Sequence, residues 1–105
     1  MGNVVVALDL TPVNAKKFIS EIAQNSNRIF YTKHANKRMK ERKITTFQVE
    51  CCLRHGKVIE NPFRDEHGNW MVKLEVLTAG DSVTVVVAID RDSKGELILV
   101  ITSYK

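Results

Sequence analysis

Within the stretch TKHANKRMKERKIT, residues 32–45, His34, Arg38 and Arg42 recur four residues apart. On an α-helix that spacing sets all three on one face. An imidazole exchanges a proton near neutral pH, and guanidinium groups hold phosphate oxygens through charge-assisted hydrogen bonds. Together they suit acid–base chemistry at a phosphodiester, or a phosphate clamp without chemistry. Lys33 and Lys37 flank the histidine and add phosphate-binding capacity. Thr32 is placed to cap the helix, so His34 lies where backbone amides and the positive helix end attract anions. At the other end of the chain, VITSYK sets Thr102 and Tyr104 on one face of a strand and Ile101 and Ser103 on the other. A hydroxyl and a phenol side by side are donors suited to a phosphate. Each group also has a plainer reading: the basic row as a solvated helix face, and Thr and Tyr as ordinary strand formers.

The charge is concentrated. Between Arg28 and Lys43 seven basic residues face one acid, Glu41, in a chain of 105 residues and net charge +4, so the remainder is slightly acidic. Such concentration on one element points to a polyanion or an acidic protein as partner. At this length a single domain over residues 1–105 is expected, with residues 1–27 as an amino-terminal extension of strand and helix. No apolar run reaches the roughly 20 residues that span a bilayer. MGNVVVALDL lacks a basic leader and a cleavage site, and Val6 stands where a myristoylation signal needs Ser or Thr. A cytoplasmic protein with no membrane partner is therefore expected. Adjacent cysteines rarely bridge each other, so Cys51 and Cys52 read as a reduced pair.

Other chemistries find little support. Cys51 and His55 sit four apart on a helix, but no CxxC or second histidine pair accompanies them. DRDSKGE starts like a calcium loop, yet Lys94 occupies a ligand position and Ile101 the place of the closing acid, so it reads as a hairpin turn. Walker, GxGxxG and GxSxG motifs are missing. No metal and no cofactor are expected.

The elements that must position these residues can be read in part. Val4 to Leu10 reads as a short strand, and Thr11-Pro12 as the cap and first turn of a helix to about Gln24, carrying Phe18, Ile19, Ile22 and Ala23. A second helix runs from Thr32 to about Lys43, with Ala35 and Met39 as its packing stripe. Thr45 and Gln48 form a capping box for a third, whose apolar positions are Phe47, Val49, Cys52 and Leu53 and whose stop is Gly56. From Lys57 the period becomes two. Val58-Ile59, Trp70 to Leu77, Val83 to Ile89 and Leu97 to Tyr104 read as strands with short connections, which favour an antiparallel meander. The expected fold is α+β, with amino-terminal helices packed on a four-stranded antiparallel sheet. The third and fourth strands are apolar on both faces and want cover on both, from the amino-terminal strand, a second copy or a partner.

The run HANKRMKERKITTFQVECCLRHGKVIE resembles the core of domain-of-unknown-function family 4258, small bacterial and phage domains. These carry a His-x3-Arg-Met-x2-Arg-x-Ile-Thr helix, a following helix that ends in G-x-V-I-E, and a late VIT-x-Y strand. Here His34, Arg38, Met39, Arg42, Ile44, Thr45, Gly56, Val58, Ile59, Glu60, Thr102 and Tyr104 match, over roughly residues 30–62 and 84–104, within a family core of 28–105. The family is similar to the fold of barnase, EndoU, colicin and RelE-type toxins, several of which are metal-independent ribonucleases. The resemblance implies His34 as general base or acid, Arg38 and Arg42 as phosphate ligands, and Thr102 and Tyr104 as phosphate-positioning donors. The expected function is thus a metal-independent endoribonuclease-like domain, toxin or effector in type, acting on single-stranded RNA. An antitoxin- or immunity-type acidic protein, or a second copy, is a further expected partner. Two alternatives remain: a non-catalytic module that binds nucleic acid or the ribosome, and a ParE-like inhibitor whose basic helix faces an acidic protein.

Overall fold

The computed structural model describes residues 10–78 and 80–102. The strand expected at Val4 to Leu10 falls outside them, apart from Leu10, which is buried. Three helices follow the expected caps. In α1 (Pro12–Ile22), Thr11 accepts a hydrogen bond from the Asn14 amide at 3.1 Å and Pro12 occupies the first turn. In α2 (Lys33–Arg42), Thr32 accepts from the Ala35 amide at 3.0 Å. In α3 (Thr46–His55), both arms of the Thr45–Gln48 capping box are present. These ends form because each side chain satisfies an amide that the first helical turn leaves without a partner.

The sheet departs from the expected four antiparallel strands. It is mixed and, among the described residues, has six strands: β1 (Ile29–Tyr31), β2 (Lys57–Val58), β3 (Phe63–Arg64), β4 (Trp70–Thr78), β5 (Asp81–Arg91) and β6 (Leu97–Ile101). Their order is β1-β6-β5-β4-β2, with β3 also paired to β4. The meander β4-β5-β6 is antiparallel as expected, but β1 pairs with β6 in parallel, Ile29 opposite Leu99 and Tyr31 opposite Ile101. Three residues are too few to show a period, so nothing in their pattern announces β1.

One face of the sheet carries Val72, Leu74, Val85, Val87, Leu99 and Ile101. It packs against Ala15 and Ile19 of α1, Ala35 and Met39 of α2, and Val49, Cys52 and Leu53 of α3, all buried. The other face carries Phe30, Met71, Val86, Ile98 and Val100, none of them fully buried. The two-sided apolar character of β5 and β6 is therefore observed, whereas Phe47, expected in the core, is 73% exposed.

Two hairpin turns are built alike. In RDEHGN and RDSKGE the aspartate Oδ1 accepts amides two and four residues on, at 2.8 and 2.9 Å for Asp65 and 2.9 Å twice for Asp92. The preceding arginine donates to the glycine carbonyl at 2.8 Å in each. Gly68 and Gly95 take φ of 84° and 83°, which a side chain would strain. The run that begins like a calcium loop is this turn.

The two helix stops reverse the expected use of glycine. Lys43, not a glycine, ends α2 in the left-handed region, with φ 58° and ψ 40°. Gly56 ends α3 at φ −68° and ψ 170°, extended backbone open to any residue. Lys43→Gly is therefore expected to stabilise the fold by about 0.5–1 kcal/mol, the left-handed penalty less the added freedom of the unfolded chain. Urea denaturation checks it, and a loss of stability would contradict the assignment.

Candidate functional site

The short strand β1 is tied to β6 at both ends. The Arg28 guanidinium donates to the Leu97 carbonyl from Nε at 2.8 Å and from a terminal nitrogen. At the other end the Thr32 amide and hydroxyl donate to the Ile101 carbonyl at 3.2 and 3.3 Å. Thr32 is also the cap of α2. One threonine thus joins the start of the basic helix to the end of the last strand, 69 positions away in the chain.

Ala35 and Met39 are buried, which holds the polar row of α2 at the rim of the packed face. Lys33, His34, Lys37 and Arg42 are exposed, and Arg38 is half-buried. Arg38 is held loosely: a terminal nitrogen lies 3.9 Å from Glu41, beyond hydrogen-bonding distance, and its Nε is buried with no hydrogen-bond partner. A buried N–H without a partner costs about 1–3 kcal/mol, which an anion placed beside it would relieve.

Thr102 is half-buried and follows Ile101 out of β6. Its amide and its Oγ1 both donate to the Val86 carbonyl, each at 2.9 Å. The hydroxyl proton is thus engaged within the sheet, leaving the oxygen lone pairs to other partners. Tyr104 lies outside the described residues.

Arg42 belongs to a different part of the surface. Eight residues of helix put it about 12 Å along the axis from His34. There it lines a cleft of about 430 Å³ with Lys43, Gln48, Asp81, Ser82 and Thr84. Spacing alone placed His34, Arg38 and Arg42 on one face. The cleft separates Arg42 from the first two.

Sequence reasoning passed over Tyr31, whereas Cys52, read as an apolar position of α3, is buried as expected. Burial, with a smaller contribution from the Glu50 carboxylate, pushes the Tyr31 phenol up to about 12, and its hydroxyl is buried without a hydrogen-bond partner. Burial, helped by Cys51, pushes the Cys52 thiol up to about 12, and Sγ faces the Val83 carbonyl at 3.8 Å. Cys52 is therefore a core residue rather than a nucleophile. Both groups favour their neutral forms when folded, whereas the unfolded chain loses these protons near 8.5 and 10. Their stabilising contribution is complete below about pH 8.5 and declines as pH rises toward 12. The urea midpoint should accordingly fall between pH 8.5 and 11, and Tyr31→Phe should flatten the fall above about pH 10. A midpoint constant to pH 11 would contradict it.

Among the described residues no helix is long and apolar enough to cross a membrane. The family described as "Domain of unknown function (DUF4258)" matches residues 31–105, more than half of the chain and every element from α2 to β6. The chain belongs to this family. The matched span includes β4 around Trp70, which the motifs alone had not covered. No curated protein and no solved structure matches the chain.

Proposed function

We propose that this chain is a metal-independent endoribonuclease-like domain of toxin or effector type, acting on single-stranded RNA and related in fold to barnase, EndoU, colicin and RelE-type ribonucleases. The supporting observation is the Thr32 tether, which brings the start of α2 against the end of β6. The exposed imidazole of His34, the buried and unpartnered Nε–H of Arg38, and the strand that leads to Tyr104 then belong to one region. In the reaction His34 takes the proton of a ribose 2′-hydroxyl as its oxygen attacks the adjacent phosphorus. The bond to the 5′-oxygen breaks and that oxygen takes a proton from water, to which His34 then returns the one it took, giving a 2′,3′-cyclic phosphate and a 5′-hydroxyl. Arg38 and Tyr104 stabilise the charge on the phosphorane, and Thr102 joins them by turning its hydroxyl from the Val86 carbonyl to the phosphate. Lys33, Lys37 and Arg42 hold flanking phosphates.

One observation favours a second reading, a module that binds RNA without cutting it. The Thr102 hydroxyl already has an acceptor in Val86 and needs no ligand.

Purified protein should cleave single-stranded RNA in excess chelator and leave DNA intact. Chelator-sensitive cleavage would point to a metal reaction instead, and tight binding without cleavage would favour the second reading. Replacing Arg38 or Arg42 by Ala should flatten the dependence of log affinity on log salt by about one unit for each phosphate no longer held. Equal losses from Arg64 or Arg91, whose guanidinium groups hold hairpin carbonyls, would make the basic helix a solvated face. An unchanged slope together with weaker binding to an acidic protein would favour the ParE-like alternative.

A further inference from the structure

The cleft between the end of α2 and the start of β5 is lined by opposite charges that do not pair. Arg42 and Lys43 stand on the helix side and Asp81 at the first position of β5. Among the described residues no ion pair joins Asp81 to either of them. Free cations and a free carboxylate around about 430 Å³ suit a ligand with an anionic end and a hydrogen-bond-donating end. The volume lies within the roughly 300–1,000 Å³ of small-molecule sites.

The polar groups between those charges narrow the choice. Gln48 Oε1 accepts from the Thr45 amide at 3.0 Å, which turns its amide nitrogen into the remaining donor. The Ser82 hydroxyl donates to Glu75 at 3.1 Å, so its oxygen offers lone pairs only. A carboxylate accepts best from two adjacent N–H groups. Among the four RNA bases guanine alone presents two neighbouring donors, N1–H and N2–H, beside an acceptor, O6, on its pairing edge. Asp81 can take the two donors and the Gln48 amide the acceptor. Adenine, cytosine and uracil each set a lone pair against the exposed carboxylate where guanine offers a proton, so each loses a hydrogen bond and gains a repulsion that guanine avoids.

We infer that this cleft is a nucleotide subsite selective for guanine, with Asp81 reading the base and Arg42 and Lys43 holding its phosphate. The inference rests on the reading of α2 as an RNA-facing helix. Because Arg42 stands about one full helix length from His34, the guanine occupies a position beside the cleaved bond, not at it.

The test is titration of the full chain with 3′-GMP, 3′-AMP, 3′-CMP and 3′-UMP, followed by calorimetry and by amide shifts. 3′-GMP should bind at least tenfold more tightly than the others, with shifts confined to residues 42–48 and 81–84. Asp81→Asn should lose at least tenfold for 3′-GMP and leave the other three within about twofold, since an amide cannot accept both protons. Arg42→Gln should weaken all four alike. Equal affinity for the four nucleotides, binding to none, shifts elsewhere, or an Asp81→Asn protein that keeps the preference would each overturn the subsite. The wild-type shifts decide the matter even if a variant fails to fold. Guanine-selective binding without RNA cleavage would discard the nuclease and keep the subsite. Cleavage with base-indifferent binding would do the reverse.

Discussion

Replacing Tyr104 by Phe should leave stability nearly unchanged and reduce RNA cleavage by roughly ten- to a thousand-fold, the range for losing one transition-state donor. His34→Ala should reduce it at least as much. The double variant should lose less than the product of the two, because groups acting as a unit are not additive. The physical ground is the connection between helix and strand. Thr32 caps α2 two residues before His34 and hydrogen-bonds Ile101, three residues before Tyr104. The start of α2, which carries His34, and the end of β6 therefore meet at a single junction. The junction itself can be probed: Thr32→Val keeps the shape and the amide bond to Ile101, removes the cap and the hydroxyl bond to Ile101, and should lower both cleavage and stability, the latter by about 1 kcal/mol. Rates are to be compared under single-turnover conditions, with melting curves to exclude unfolding. A Tyr104→Phe protein that cleaves at the wild-type rate would remove the phenol from the mechanism. Wild-type cleavage by His34→Ala would remove the proposal.

The largest effect on stability should come from Gly56→Ala. A Cβ at this position would meet the Cys52 carbonyl at 2.5 Å, the Glu75 carbonyl at 2.9 Å and the Cys52 sulfur at 3.1 Å. The first two are main-chain atoms of α3 and β4, so neither can turn aside as a side chain would. The glycine also donates its amide to the Cys52 carbonyl at 2.8 Å and accepts Lys16 Nζ at 2.5 Å. Making room would push α3 away from the sheet and disturb both bonds. Overpacking of this kind costs roughly 1–3 kcal/mol, and more when the backbone must shift. A loss near the upper end lowers the melting temperature of a domain this size by roughly 10–15 °C. Thermal melts of wild type and Gly56→Ala, read by circular dichroism, decide the point. Coincident curves would mean that the helix end has room to relax.

Local signals in the chain were enough to define much of the fold. Thr11, Thr32 and Thr45 mark their helices because a cap satisfies amides only two or three residues away. The apolar strand runs from Trp70 to Ile101 define the meander because connections as short as theirs join antiparallel neighbours. The basic cluster, the His34–Arg38–Arg42 row and the family motif were equally legible, since each lies on one continuous segment. What depended on distant partners was not. β1 exists because Leu97 and Ile101 supply acceptors for Arg28 and Thr32, about seventy residues away, and three residues carry no pattern that could announce it. The use of Gly56 follows from how closely β4 passes the end of α3, a distance absent from the glycine's own neighbours in sequence. That Arg42 shares a cleft with Asp81, Ser82 and Thr84 follows from where β5 begins beside α2. Residue types and helical spacing specify which groups share a face. Packing against elements far along the chain decides which of them share a site.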